Sequence, residues 1–303
     1  MINKVKDKAQ GLWLLSKKTG IEWVAIDPFR QSAVIAYYAI FALPALLVII
    51  ITVAGAAFGA DAIDGKIYGQ VSQTMGPETA DQVREMLMKA TAAKTSMWAT
   101  ILGVVTILIG AIGVFIELQK TLNIIWDVKA SQRKGIWGFM RARVFSFGLI
   151  LSIAFLLIIS LVMSTLLSAA SELFQADSSA LLMLIFRVVN FVVSLAVLSM
   201  LFALMFRFLP DAKVAWRHVW AGAVLTGVLF TLGKSVLAFY FTTADPGSGY
   251  GAAGSVILIL LWTSYSSMIL FLGAGFTRAY SERCVGKVVA SATGKKTEEP
   301  KKK

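Results

Sequence analysis

Two cations stand where cations are costly. Arg187 lies six residues inside an apolar run at 181–208, and Lys234 lies seven residues before the end of another at 219–241. An ionised side chain near the centre of a hydrocarbon layer costs on the order of 2.5–3.5 kcal/mol. At about 1.5 Å per helical residue, both lie roughly 10 Å below the same boundary. Neither run contains an acidic residue. Asn190 and Ser194 follow Arg187 on one helical face, and Gly227 and Thr231 precede Lys234 on another. In a third run, 254–276, Thr263, Ser266 and Ser267 share a face, with Tyr265 among them. If these faces meet, they line a polar, positively charged chamber. Arginine offers a fork of donors and lysine a point charge, which suits an anion or a phosphate headgroup. Arg187 and Lys234 would bind the anion, and Asn190, Thr231, Tyr265 and Ser266 would orient it. The competing reading is structural. Long cationic side chains snorkel to headgroups, and hydroxyls bond their own helix or a neighbour.

Glu117 and Arg207 form a second candidate group, as an ion pair or a coupling site near one surface. Arg143 is an alternative partner for Glu117. Pro44 lies inside the first apolar run, where it removes a backbone bond and kinks a helix. Signatures of an enzyme are missing. No His/Asp/Glu cluster has metal-ligand spacing, and neither a phosphate-binding glycine loop nor a G-x-S-x-G elbow occurs. The chain has one histidine, His218, in what reads as a short loop, and one cysteine, Cys284. No catalytic residue, metal or cofactor is expected.

The elements that must position these groups are membrane spans. Six apolar runs are long enough to cross a bilayer: 33–57, 98–118, 144–167, 181–208, 219–241 and 254–276. Hydrophobic residues make up 57% of the 303 and charged residues 15%, against about 25% charged in soluble chains. The expected fold is all-α: a six-helix membrane domain at 33–276 between a segment 1–32 and a tail 277–303, disordered from about 290. Residues 3–26 read as an amphipathic helix on the inner leaflet, with Trp13 and Trp23 at the interface. In the loop 58–97, Ala80, Val83, Leu87 and Ala90 predict a short helix over 79–94. Leu118, Leu122 and Ile125 continue the helical period past the second run, as a helix that leaves the membrane and bends along its inner surface.

The net charge of +12 is a matter of topology. Residues 1–32 and the loop 119–143 carry six Lys/Arg each, and the tail after 276 carries eight. The loops 168–180 and 242–253 carry none, and in 58–97 four bases are outnumbered by five acids. The positive-inside rule places both termini in the cytoplasm, as an even number of spans requires. Anionic lipid headgroups, rather than nucleic acid, are the partners this charge implies.

Three segments resemble one family. They are RQSAVIAYYAIFALPALL (30–47), GVFIELQKTLNIIWDV (113–128) and YGAAGSVILILLWTSYSSMILFLGAGFTRAY (250–280). Together they resemble the YihY/BrkB family of bacterial inner-membrane proteins, from about residue 20 to 283. The resemblance implies a six-span helical protein linked to envelope lipid traffic or virulence. An old ribonuclease label on that family is regarded as mistaken. The family's last motif usually has Glu where Gly275 stands here, so no mechanism resting on that carboxylate carries over. The expected function is an inner-membrane transporter or flippase-like protein for an anionic substrate, a phosphate-bearing envelope lipid first. The alternatives are a scaffold for an envelope protein partner and, remotely, a membrane-bound ribonuclease.

Overall fold

A computed structural model describes residues 2–42, 97–129, 180–212, 214–285 and 295–296, with ten residues between 65 and 88. The expected third span, most of the first with Pro44, and Arg143 lie outside the described residues. The described chain is helical apart from turns and one two-residue strand pair. Its helices are α1 (Ile2–Ala25), α2 (28–42), α3 (Met97–Ile125), α4 (Ala180–Phe208), α5 (Trp216–Ala244) and α6 (Gly254–Val285). A 3-10 turn, Ser248–Ala253, joins the last two. Every described residue from 65 to 88 is also helical, which includes part of the helix expected at 79–94. There the Tyr68 hydroxyl bonds Asp81, which pushes its pKa up, and Arg84 lies over the Tyr68 ring at 5.9 Å.

Among the described residues, three helices are long and apolar enough to cross a membrane: Val188–Phe208, Trp216–Ala244 and Val256–Cys284. They match the fourth, fifth and sixth expected runs. Helix α6 runs nine residues past the expected end at 276, and α3 runs seven past 118, to Ile125.

Three aspartates stop three helices. Asp27, Asp127 and Asp245 have φ of 53°, 51° and 39°, just beyond α1, α3 and α5. Aspartate tolerates this left-handed conformation better than most side chains. Asp27 and Asp245 also precede prolines, which disfavours helix at that position. Helix α2 restarts at Pro28, whose missing N–H costs nothing in a first turn. Gln31 N–H donates to the Asp27 carbonyl at 3.2 Å, and Arg30 pairs with the Asp27 carboxylate at 3.2 Å. The strand pair joins Val128–Lys129 to Lys295–Lys296, antiparallel, so part of the tail expected to be disordered is paired.

The chain divides into two compact units. The first comprises Met1–Val24, Leu122–Leu229 and Leu270–Lys303. Its core holds Leu122, Trp126, Phe206, Val219, Ala223 and Phe271, all nearly inaccessible. Here α5 and α6 make a reciprocal clasp. A side chain at Gly222 would collide with Thr277, and one at Gly273 would collide with Thr226. Each threonine donates to the carbonyl of its own helix's glycine, Thr226 to Gly222 at 2.6 Å and Thr277 to Gly273 at 2.7 Å. The same Gly-x-x-x-Thr spacing on two antiparallel helices thus seats each hydroxyl against the other helix's glycine. Small residues permit this close approach, and the i−4 bond satisfies each buried hydroxyl. The second unit comprises Ala25–Thr121 and Phe230–Ile269. Leu237 and Phe241 of α5 pack there on Leu258 of α6, with Trp262 and Tyr265 alongside. Gly110 and Gly113 of α3 lie against Phe41 and Tyr38 of α2.

Helix α5 keeps one side bare. Trp216, Trp220, Val224, Val228, Leu232 and Val236 recur every four residues and are all exposed, as are Phe239 and Tyr240. Aromatic rings stand at both ends of this ridge and aliphatic side chains fill its middle, the pattern of a surface facing lipid with interfacial belts.

Candidate functional site

The expected chamber residues fall on α4, α5 and α6 as the periodicity predicts. Arg187 lies in α4, with its side chain outside the described set. Asn190 is half-buried on α4 in the first unit. Thr231 and Lys234 are half-buried on α5, and Tyr265 and Ser266 are half-buried on α6, all four in the second unit.

Lys234 has no acidic partner among the described residues. On its helix it lies away from Leu232 and Val236, the exposed ridge at that level. Its neighbours one turn away are Phe230, which meets the Trp262 ring edge-on at 6.0 Å, and the buried Leu237. The adjoining Gly233 leaves room for the Tyr265 hydroxyl, which a Cβ there would meet at 2.7 Å. The Ser266 hydroxyl is buried, with no hydrogen-bond partner among the described residues. In the first unit, Gly227 faces Ser199 and Leu195 of α4.

The second candidate group divides. Glu117 pairs with Lys120 at 3.1 Å, one turn along α3. Arg207 donates to the Val214 carbonyl, and its guanidinium lies 5.9 Å over Trp216. Arg207 therefore closes the α4–α5 turn. His218 does not lie in a loop. It occupies the first turn of α5, is 7% exposed, and its Nδ1 lies 3.3 Å from Ser281 Oγ. The helix starts earlier than the apolar pattern suggests, with the Ala215 carbonyl accepting from His218 and Val219 N–H.

A polar cluster that the sequence reading missed occupies the first unit. Asn123 at the end of α3 holds Asp211 twice, by side chain at 3.2 Å and by backbone N–H at 2.8 Å. Arg278 donates to the Ile125 carbonyl at 2.6 Å, satisfying an orphan acceptor where the helix dipole favours a cation. Arg278 also pairs with Glu282 at 2.8 Å, and Lys18 of α1 reaches the same carboxylate at 2.8 Å. That contact pushes the Lys18 ammonium above the ordinary lysine range. Arg283 donates to the Gly11 carbonyl at 2.6 Å. A side chain at Gly275 would face Thr19 of α1, its Cβ 3.7 Å from the methyl group. Helix α1 therefore lies antiparallel along the last turns of α6. Asn123 and Arg278 were in view as residues of two motifs. Their partners, 88 and 153 residues away, leave no local signal.

The profile of the virulence factor BrkB family matches residues 24–299. The chain belongs to the BrkB family. Its curated relatives are described as UPF0761 membrane proteins. The one from Teredinibacter turnerae is 28% identical over 84% of this chain and 57% of its own length. That from Saccharophagus degradans is 27% identical over 84% and 56%. That from Pseudoalteromonas atlantica is 25% identical over 80% and 78%. This BrkB-family chain thus spans little more than half the length of the first two. No solved structure matches it.

Proposed function

We propose that this BrkB-family chain is a membrane transporter of flippase type for an anionic substrate, with a phosphate-bearing lipid as the natural class. The observation that carries the reading is the placement of Lys234. A lysine serving only to reach headgroups belongs on the exposed ridge of α5. Lys234 lies off that ridge, half-buried, with no acidic partner among the described residues. A cation so placed attracts an anion strongly, by about 4 kcal/mol for unit charges 4 Å apart at an effective dielectric near 20. Thr231 one turn away, Tyr265 against Gly233 and the Ser266 hydroxyl, which has no partner among the described residues, supply the donors that would orient it. Arg187 and Asn190 of α4 belong to the first unit, and their part in binding is a separate expectation that the same experiment reads.

Native mass spectrometry of gently purified protein tests it. The wild type is expected to retain a defined anionic lipid or solute that Lys234→Ala loses, and Arg187→Ala weakens. Equal retention by all three proteins would sink the transport reading. It would favour the scaffold, in which an envelope partner docks through residues 58–97.

A further inference from the structure

A groove of about 500 Å³ lies between α1 and the end of α6, and nothing in the transport reading uses it. Its floor is apolar: Leu14, Leu15 and Ala279. Its rim is charged: Lys18, Glu282 and Arg283. The Glu282 charge is already matched, by Lys18 and by Arg278, each at 2.8 Å. Arg283 spends one nitrogen on the Gly11 carbonyl, and a guanidinium has five N–H donors. Its remaining donors have no partner among the described residues and can meet an anionic oxygen at the mouth. Counting Glu22 beside Lys18 at 3.6 Å, three cations face two carboxylates here.

The depth of the groove identifies the occupant. Helix α6 has 32 residues, about 48 Å of helix, against a hydrocarbon layer of about 30 Å. Charge first returns at Arg278, so the hydrocarbon boundary lies close to Phe276. Ala279 to Arg283 then stand roughly 5–10 Å beyond it, at headgroup depth. Leu14 ties the groove to a larger surface. It lines the groove, yet is 61% exposed, and with Trp13, Ile21 and Val24 it forms an apolar stripe along α1. Lys17 lies over the Trp13 ring at 5.3 Å within that stripe. An apolar floor, a cationic mouth and an adjoining stripe at interfacial depth fit one molecule from the leaflet.

We infer that the α1–α6 groove binds an anionic phospholipid, with its phosphate at Arg283 and Lys18 and its glycerol and upper chain on Leu14, Leu15 and Ala279. This lipid is a resident ligand that fastens α1 to α6. It is independent of the substrate at Lys234, which belongs to the second unit.

The lone cysteine provides a local reporter. Cys284 is exposed and adjoins Arg283 without lining the groove. Full-length protein carrying a bimane on Cys284 is placed in phosphatidylcholine nanodiscs doped with doxyl-labelled phosphatidylglycerol or doxyl-labelled phosphatidylcholine. The glycerol lipid is expected to quench in excess of the choline lipid at equal mole fraction. Arg283→Gln should weaken that preference about tenfold. Leu14→Glu should do the same from an exposed position that does not disturb folding. Equal quenching by the two lipids in the wild type would overturn the inference, as would an unchanged excess in both variants. Loss of the excess on adding inorganic phosphate would assign the groove to a free anion and overturn the lipid. Lys234→Ala leaves the signal intact if the groove is right, so failure here and failure of the transport reading are told apart.

Discussion

At the scale of single residues, the structure rests on positions where a side chain is forbidden or a hydroxyl is confined. Gly273 is one: a Cβ there has nowhere to go but into Thr226, which is fully buried. Gly273→Ala is therefore expected to cost about 1–3 kcal/mol, as overpacked cores do, read as a lower melting temperature in detergent. Thr226→Gly should recover part of that loss in the double variant, because the two positions share one contact. Neither glycine of the clasp announces itself in the sequence, where both look like the ordinary small residues of membrane helices. Lys234 was easier to see. Its isolation in an apolar run made it a candidate, and helical period alone places it away from Leu232 and Val236. Residues such as Asn123 offered no such hint, since its amide acts on Asp211 across 88 positions.

At the scale of elements, apolar runs located helices well and their ends poorly. Helices α4, α5 and α6 begin at 180, 216 and 254, within three residues of the runs at 181, 219 and 254. Helix α6 then continues through polar turns that hydropathy counts as tail, because Arg278, Glu282 and Arg283 each find partners on other helices. Helix α1 matches its expected span of 3–26 to within a residue, but its partner was not expected. One face leans on α6, where Thr19 lies opposite Gly275. This docking carries a pH signature. The folded Lys18 has a raised pKa, chiefly through its hydrogen bond to Glu282. The stability it adds is fully present below the unfolded lysine value of about 10.4, and is lost as pH rises through the higher folded value. Thermal melts of wild type and Lys18→Met should differ at neutral pH and begin to converge only as pH rises past the unfolded lysine value of about 10.4. Curves that stay parallel across that range would assign the contact no role in holding α1.

At the scale of the whole molecule, the class of the protein was legible from hydropathy: a helical membrane protein of the BrkB family, with three described helices long enough to span. The charge in the loops predicts the side on which its ends lie, and one thiol tests it. Cys284 is the only cysteine and is exposed. If both termini are cytoplasmic, a membrane-impermeant maleimide should label it in inverted vesicles and spare it in intact cells. Labelling of intact cells would reverse the orientation. The clasp between α5 and α6 has a consequence for how such a chain is made. The turn between its two helices lies at the other end of the hairpin, and Thr226 and Gly273 are separated by nearly the whole of α5 and α6. The pairing therefore closes only after most of α6 has been made, with the loop entropy of that separation to be met first. Until then each threonine is already silenced by its own backbone, so neither hydroxyl waits unsatisfied for its partner helix.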